Sequence, residues 1–489
     1  MQFFSIFFAL LALSSTLVSA SSSGLEYLNT LREQAGLTPL RSHAALQQSA
    51  QAHSRYLSLH QISTHLEEEG QEGFTGITAS DRAVSAGFES LAVSENVSWG
   101  QADIYSSIDK LMGGIYHRFT FLDMKKDLIG IGVEAGNYTY DLGNSFLNLL
   151  CQDHEYLSGS YYHNACSDRE KRIETTLYDQ AQNYYKNTSE APDMVVWPPK
   201  NGTDILPGFY GENPDPLPEY AVSGYPVSVE FNDLLYPESP SEVQIRLIDE
   251  EGNALEGMMI DHSNDPAERF STHQFAFFPL KHLEWGTRYQ VTLEFDGERR
   301  EWCFSTRSLF DLGAQKVYRI DENSPEVLEV VAGRSYALYF VPQGADDQFD
   351  RYHYRYNTQN PSIAFLDRNT LLFQVEGEVG QRVELTLNTP EEKVITLIIA
   401  QSDQAEEPSK SSCPLSEVSP QDDETSTHLL STENVDESIS AEESESEIET
   451  ESVEESTGAS GGGVLIPALL WSVTFLFLSF YRRERFFRS

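Results

Sequence analysis

The fold of this chain is decided by four segments: STHLEEEG (63–70), DRAVSAGF (81–88), SENVSWG (94–100) and LMGGIYHRFTFLD (111–123). They place two imidazoles and one carboxylate, on His65, Glu95 and His117, among mostly apolar and small residues. Imidazole nitrogen and carboxylate oxygen suit Zn²⁺ or another divalent cation, and three protein ligands leave coordination positions open. The three residues are therefore candidate metal ligands. The competing interpretation is that they hydrogen-bond to one another and hold a cleft together.

Helical spacing precedes these segments. Leu25, Leu28 and Leu31 recur every three residues and predict a helix that ends by Gly36. A second helix should begin at Ser42, which is a good N-cap residue. The residues on its apolar face are Leu46, Ala50, His53 and Leu57. On that face His53 is interpreted as a core residue rather than a ligand.

The following elements are shorter. Residues 80–87 predict a helix with Ser80 as its cap. Residues 104–117 carry apolar side chains at helical spacing, which places His117 at or just past the helix end. Residues 128–133, LIGIGV, predict a strand. Because helices come first and strands later, without regular alternation, the pattern predicts an α+β arrangement.

Seven segments, in their order and spacing, resemble a bacterial CAP domain of the cysteine-rich secretory, antigen 5 and pathogenesis-related superfamily. They are LNTLREQAGLTPL (28–40), ALQQSAQAHSRYL (45–57), HLEEEG (65–70), DRAVSAGF (81–88), SENVSWG (94–100), LMGGIYHR (111–118) and LIGIGVEAG (128–136). The resemblance covers residues 24–150 and implies an α/β/α sandwich with a central cleft. It also implies that His65, Glu95 and His117 line this cleft.

The resemblance is incomplete at one position of the cleft. Animal and plant members have a second Glu in the helix before the last His, where this chain has Gly113 and Gly114. Asp109 is a poorly placed substitute for that Glu. The disulfide pattern of the eukaryotic members is absent as well. A site of three protein residues should hold a metal weakly.

The chain after the CAP-like region changes character. Residues 151–192 are predicted to be a helical extension and linker, in which the fifteen-residue spacing of Cys151 and Cys166 suits a disulfide in an exported protein. Cys303 and Cys413 lie far apart and are not expected to pair.

Two β-rich regions follow the linker. Alternating apolar residues predict strands in residues 193–308, which resemble a bacterial Ig-like β-sandwich, and Phe295 to Glu298 mark a hairpin turn. Residues 309–400 predict a second small β domain of no named family. The expected fold class is therefore an α+β multidomain protein, with the α/β/α CAP sandwich first and β-sandwich domains after it.

Charge excludes one class of partner. The formal net charge is −43, and no basic cluster precedes the last few residues, so a nucleic acid is not an expected partner. Residues 401–463 are rich in Ser, Glu and Thr and have too few apolar residues to form a core. They predict a disordered acidic stalk.

Both ends resemble targeting segments. Residues 1–20 predict a signal peptide cleaved before Ser21, with an uncleaved anchor as the alternative. Residues 464–481 form an uncharged apolar run long enough to span a membrane, and the basic tail at 482–489 places the C-terminus inside. The expected location is the cell surface or a membrane, with the N-terminal domains outside.

The C-terminal end has two interpretations. The triplet Gly461, Gly462 and Gly463, followed by the span and the arginines, resembles the GlyGly-CTERM sorting signal of Gram-negative bacteria. That resemblance implies a sorting protease, the rhombosortase, that removes the span and allows release. The alternative is a simple single-span anchor with a flexible glycine joint.

Two functions from different classes fit these features. The first is a non-catalytic surface protein whose CAP cleft binds a divalent ion such as Zn²⁺, or a small, lipid, envelope or matrix ligand. The second is a metal-dependent extracellular hydrolase in which Glu95 acts as the base. The sequence contains no HExxH motif, and a metal-bound Glu95 is not free to act as a base. Binding is therefore the preferred hypothesis, and no catalytic residue is assigned.

Overall fold

The computed structural model of the chain describes residues 20–153, 159–321, 324, 327–389 and 392–403. The first of these ranges is called the N-terminal part. Its elements are α1 (20–34), β1 (Arg41–Ser42), α2 (Ala44–His60), α3 (Ala79–Ser85), β2 (Ser94–Trp99), α4 (Ile104–Gly113), α5 (Ile115–Phe121), β3 (Leu128–Glu134), β4 (Asn137–Gly143) and α6 (Ser145–Asp153). The four strands form one sheet in the order β1-β3-β4-β2, with β1 parallel to β3 and the other pairs antiparallel.

Helix α2 lies unusually close to one face of this sheet. A Cβ atom on Gly130 or Gly132 of β3 would come within 2.0 Å of backbone atoms of Leu46 or Ala50, respectively. Only glycine therefore allows this approach. The amides of Gln47 and Gln51 on α2 also exchange hydrogen bonds with the backbone of β3. They satisfy backbone groups that a neighbouring strand would otherwise pair.

The opposite face of the sheet carries the main core. Ile129 and Ile131 alternate with the glycines of β3 and belong to a buried cluster with Leu28 of α1 and with Ile108 and Leu111 of α4. Helices therefore cover both faces of the sheet, in the three-layer arrangement that the CAP resemblance implies.

Three helix boundaries differ from the sequence-based expectations. Ser42 does not cap α2, because it lies in β1, where the flanking backbone is paired with β3. Ser80 does not cap α3 either, since Thr78 forms a capping box with Asp81. The predicted helix over residues 104–117 is interrupted by Gly114, whose extended backbone separates α4 from α5. His117 consequently lies inside α5.

A disulfide fixes the segment after the sheet. Cys151 at the end of α6 is bonded to Cys166, with 5.4 Å between the two Cα atoms. The segment continues through β5 (Tyr161–Tyr162), β6 (Ile173–Glu174), α7 (Thr175–Gln182) and a 3₁₀ helix (Tyr184–Asn187). Cys303, for which the sequence predicts no pairing, is also disulfide-bonded.

Two four-stranded sheets form the first β part, residues 194–306. The strands are β7 (Met194–Trp197), β8 (Gly202–Ile205), β9 (Gly208–Phe209), β10 (Ser223–Gly224), β11 (Val227–Phe231), β12 (Gln244–Ile248), β13 (Gly257–Asp261), β14 (Gln274–Pro279), β15 (Arg288–Phe295) and β16 (Glu298–Thr306). The sheet orders are β13-β14-β11-β7 and β12-β15-β16-β8, and β9 pairs with β10. Positive φ angles at Asp296 and Gly297 give the hairpin between β15 and β16 the predicted turn.

The second β part, residues 317–399, repeats this plan. Its strands are β17 (Val317–Ile320), β18 (Val327–Val330), β19 (Ser335–Phe340), β20 (Tyr352–Tyr356), β21 (Ser362–Asp367), β22 (Thr370–Gln374), β23 (Arg382–Leu387) and β24 (Lys393–Ile399). They form the sheets β17-β19-β22-β21 and β18-β24-β23-β20 around a separate apolar core. Together with the N-terminal part they confirm the predicted α+β multidomain class.

The predicted signal peptide, the acidic stalk and the C-terminal span lie almost entirely outside the described residues. Within the residues that the structure describes, no helix is both long enough and apolar enough to span a membrane.

Candidate functional site

His65 lies in the loop after α2 and is directed at β2. Its Nδ1 atom is 2.9 Å from Oε1 of Glu95, and 44% of its side chain is exposed. Because a carboxylate only accepts hydrogen bonds, Nδ1 is the atom that carries the proton in this contact. The other ring nitrogen, Nε2, has no hydrogen-bond partner among the described residues.

Glu95, by contrast, is almost completely buried. Its second oxygen, Oε2, accepts a hydrogen bond of 2.5 Å from Nη2 of Arg82, whose side chain is fully buried. Burial alone would raise the pKa of this carboxyl, but the charge of Arg82 and the hydrogen bond from His65 outweigh it and lower the pKa to about 2. Glu95 is thus an anion at neutral pH, with both oxygens engaged.

A second buried pair supports the loop that carries His65. His53 of α2 has Nδ1 at 2.9 Å from Oε1 of Glu67 and Nε2 at 2.9 Å from the carbonyl oxygen of Thr64. Both neighbours accept, so both ring nitrogens donate. Nε2 of His53 is 3.9 Å from Glu95. His53 is a satisfied core residue, as the sequence analysis interprets it, and it fixes the loop from behind.

Asp141 on β4 lies opposite Glu95 in the sheet. The residue is fully buried, and both of its carboxyl oxygens lack a hydrogen-bond partner among the described residues. Burial and the neighbouring charge of Glu95 raise the pKa of Asp141 well above its ordinary value. The buried carboxyl of Asp141 therefore favours its neutral form, whereas that of Glu95 favours its charged form.

His117 has a carboxylate partner from another part of the chain. Its Nδ1 atom is 2.6 Å from Oε2 of Glu212, which lies between β9 and β10 in the first β part. Glu212 Oε1 also accepts from the backbone amides of Ile115 and Tyr116, at 2.5 and 3.3 Å. The side chain of His117 is 15% exposed and that of Glu212 only 5%. This contact is the counterpart of the contact between His65 and Glu95.

The structure brings two of the three candidate ligands into direct contact. His65 touches Glu95, and the backbone of His117 is tied to β2 through Asn96, whose Nδ2 donates to the His117 carbonyl oxygen at 2.8 Å. No group of three or more His, Cys, Asp or Glu side chains suited to a metal ion occurs among the described residues. Because both oxygens of Glu95 are already engaged, the set His65, Glu95 and His117 does not fit a three-ligand metal site.

Sequence reasoning missed three residues of this site. The sequence pattern places Arg82 only in a helix and gives Asp141 no role, and Glu212 lies in a different part of the chain. The glycines at positions 113 and 114 were a usable signal, because they mark the place where an acidic group is missing from the helix. Asp109 does not fill that place, since it binds Arg307 and Tyr27 instead.

Comparisons with known proteins find similarity in the N-terminal part of the chain. Residues 25–153 match the CAP family, described as the cysteine-rich secretory protein family. A search of curated proteins finds no significant match.

Solved structures similar to part of the chain include two bacterial proteins. An extracellular protein containing an SCP domain from Bacillus anthracis str. Ames is 18% identical, over 26% of this chain and 40% of that chain, with a TM-score of 0.24. A cysteine-rich secretory protein from Staphylococcus aureus subsp. aureus Mu50 is 21% identical, over 26% of this chain and 39% of that chain, with a TM-score of 0.21.

A third similar structure is an outer surface protein from Borrelia burgdorferi. It is 15% identical, over 24% of this chain and 85% of that chain, with a TM-score of 0.21. The match therefore spans less than half the length of the first two proteins but most of the third.

Proposed function

We propose that this chain is an exported CAP-domain protein that binds a small amphipathic ligand at the cleft of His65 and His117 and catalyses no reaction there. The observation that carries the proposal is the environment of Glu95. Its buried carboxylate is bonded through both oxygens, to His65 and Arg82, and has a pKa of about 2. Such a group orients an imidazole and contributes little as a proton acceptor.

The hydrolase alternative needs a different kind of carboxylate. A general base is most effective when its pKa lies near the working pH, and a carboxyl with a pKa of about 2 lies far below it. Peptide, ester and glycan substrates should therefore remain intact with the purified protein, with or without added Zn²⁺. Hydrolysis that is lost in Glu95→Gln would contradict the non-catalytic proposal.

The surface beside His65 supports an amphipathic ligand. Leu66 and Ile77 are 46% and 49% exposed. Nη1 of Arg82 donates to the carbonyl oxygens of His65 and Ile77, at 3.0 and 3.3 Å, so these residues belong to one surface. A ring nitrogen that accepts hydrogen bonds, next to apolar side chains, suits a ligand with a hydrogen-bond donor in its head group and an apolar tail.

A titration with one defined amphiphile tests this proposal. Lysophosphatidylethanolamine, below its micelle concentration, has an ammonium donor and a single acyl chain. Its affinity should fall about tenfold in His65→Ala, because a hydrogen bond from a charged ammonium contributes about 1.5 kcal/mol and a factor of ten is about 1.4 kcal/mol. The exposed His353 of β20 provides the matched control, His353→Ala. Equal affinities in the three proteins would contradict the proposal.

A weakly bound divalent cation is the second candidate ligand. Nδ1 of each imidazole is bonded to a carboxylate, which leaves Nε2 as the available donor atom and is the usual arrangement of a metal-binding His. In this proposal Glu95 orients His65 and is not itself a ligand. Calorimetric titration with ZnCl₂ should give heat for the wild type and much less for His65→Ala and His117→Ala. The same heat in the wild type and both variants would exclude a cation bound by these two imidazoles.

Export and tethering rest on the two ends of the chain. Cleavage before Ser21 would remove the signal-like segment, and residues 464–481 would either anchor the protein or be removed near Gly461 to Gly463. N-terminal sequencing and the intact mass of the protein recovered from cells test these proposals. An intact mass that includes residues 1–20 would contradict cleavage, and one that includes residues 464–489 would contradict processing at the glycines.

A further inference from the structure

The place where the N-terminal part lacks an acidic residue is filled from the first β part. Gly114 separates α4 from α5, and a Cβ atom at this position would lie 2.6 Å from Oε2 of Glu212 and 3.2 Å from Nδ1 of His117. At Gly113 the nearest atom is an ordinary 3.7 Å away, in the ring of Tyr225. The missing side chain of Gly114 is therefore what allows Glu212 to reach His117.

Glu212 is held firmly at the start of α5. No side chain of the helix itself caps this end, because the N-cap residue is Gly114. Glu212 Oε1 accepts from the amides of Ile115 and Tyr116, which satisfies two of the donors that a helix start leaves unpaired. The second oxygen, Oε2, is then left to accept from His117.

The segment that carries Glu212 is anchored on both sides. Phe209 and Leu217 flank it and belong to one buried cluster with Ile115 of α5. The hydroxyl of Tyr116 also donates to Asp265 of the first β part. Glu212 is thus an ordered residue of the interface between the N-terminal part and the first β part.

We infer that Glu212 is a positioning residue of the cleft, supplied by the first β part, which fixes the tautomer of His117. Its carboxylate accepts the proton on Nδ1, so Nε2 of His117 has the lone pair that faces a ligand. Glu95 does the same for His65. The statement about ligand contact rests on the proposed function, whereas the statement about the tautomer does not.

The conservative variant Glu212→Gln gives a readout that a merely structural role would not change. The backbone amides of Ile115 and Tyr116 donate, so the amide oxygen of the Gln must face them, and its NH₂ group then faces His117. Nδ1 of His117 must become the acceptor, and the proton moves to Nε2. Long-range ¹H–¹⁵N spectra of protein labelled with ¹⁵N-histidine, assigned with His117→Ala, distinguish the two tautomers.

The expected result is protonated Nδ1 in the wild type and protonated Nε2 in Glu212→Gln. Glu219→Gln makes the same change on an exposed residue of the same segment and should leave the spectrum of His117 unchanged. Protonated Nε2 in the wild type, or the same tautomer in the wild type and Glu212→Gln, would overturn the inference.

Two neighbouring glycines supply an independent test if Glu212→Gln fails to fold. Gly114→Ala should displace the end of the flexible Glu212 side chain, release Nδ1 of His117 and change its ¹⁵N shifts, whereas Gly113→Ala meets only an ordinary contact and should not. Identical His117 signals in the two variants would also overturn the inference.

Ligand titration separates this inference from the proposed function. Lysophosphatidylethanolamine and ZnCl₂ should each bind at least about tenfold more weakly to Glu212→Gln than to Glu219→Gln, because Nε2 of His117 no longer accepts. If neither probe binds the wild type, the proposed function fails, and the tautomer still decides the role of Glu212. If the probes bind Glu212→Gln as tightly as the wild type, the inferred part of Glu212 in ligand contact is wrong.

Discussion

Arg82 is the cation that makes a buried Glu95 tolerable. Its guanidinium is 2.5 Å from Glu95 and 3.8 Å from Glu67, and all three side chains are nearly inaccessible. Arg82→Met should lower the free energy of unfolding by about 3–5 kcal/mol, because it leaves buried carboxylates without their counter-charge. Denaturant unfolding measures the loss. The exposed Arg55 of α2 is the control, and an Arg55→Met variant that loses as much would contradict this explanation.

The lowered pKa of Glu95 predicts a specific loss of stability in acid. Its pKa is about 2 in the folded protein and 4.5 ordinarily, so the folded state binds the proton less readily. The resulting stabilisation, about 3 kcal/mol, is complete above about pH 4.5 and is lost as the pH falls towards 2. Unfolding free energies of the wild type and Glu95→Gln across this window test the prediction. Parallel curves for the two proteins would refute it.

Asp141 changes the stability with pH in the opposite direction to Glu95. Because its pKa is raised in the folded protein, folding takes up a proton, and the stability that Asp141 contributes falls as the pH rises above the ordinary value of 3.8. Asp141→Asn should therefore stabilise the protein at pH 7, because the amide is neutral in both the folded and the unfolded state. The gain should disappear near pH 4. Thermal unfolding of the wild type and Asp141→Asn at pH 4 and pH 7 measures this gain. A variant that is less stable than the wild type at pH 7 would contradict the prediction.

For single residues, the sequence predicts which residues belong to the site better than it predicts their roles. His65 and Glu95 do meet, thirty residues apart, because the loop after α2 crosses the end of β2. The third partner of the expected set, His117, instead binds Glu212, ninety-five residues further along the chain. No periodicity or local motif identifies such a partner, since it depends on how two separately formed layers pack.

Among the elements, the closest packing is between α2 and β3. A methyl group on Gly130 would lie 2.0 Å from the backbone of Leu46, which cannot move without moving the helix. Gly130→Ala should therefore lower the free energy of unfolding by about 3 kcal/mol or more. Gly113→Ala, inside α4 with its nearest neighbour 3.7 Å away, should change it by less than about 1 kcal/mol. Comparable losses of unfolding free energy in the two variants would show that the close contact between α2 and β3 does not cause the loss in Gly130→Ala.

Element types are well predicted, but element ends are not. The alternation in β15 and the helical spacing in α2 each reflect one buried face, which the sequence displays directly. Caps depend on single hydrogen bonds: Ser80 resembles an N-cap, yet its hydroxyl donates to Leu91 and Thr78 takes the role. The break at Gly114 was hidden because the apolar positions continue in helical spacing across it.

In the whole molecule, the N-terminal part and the first β part share polar and apolar contacts. Arg118 of α5 is fully buried and donates to the carbonyl oxygen of Pro226 and the hydroxyl of Ser228, at 2.7 and 3.1 Å. The hydroxyl of Tyr225 donates to the carbonyl oxygen of Met112 at 2.9 Å. Arg307 binds Asp109 across the same interface. The surroundings of His117 therefore depend on residues of both parts.

This shared interface predicts cooperative unfolding. Calorimetry should show the N-terminal part and the first β part unfolding in one transition, because neither part can unfold without exposing buried polar groups of the other. Arg118→Met should lower the midpoint of that entire transition, by roughly 6–12 °C for a loss of about 3 kcal/mol. Arg355→Met, on a side chain that is 90% exposed, should not move it. Two resolved transitions, only one of which shifts, would contradict the cooperative unfolding of the two parts.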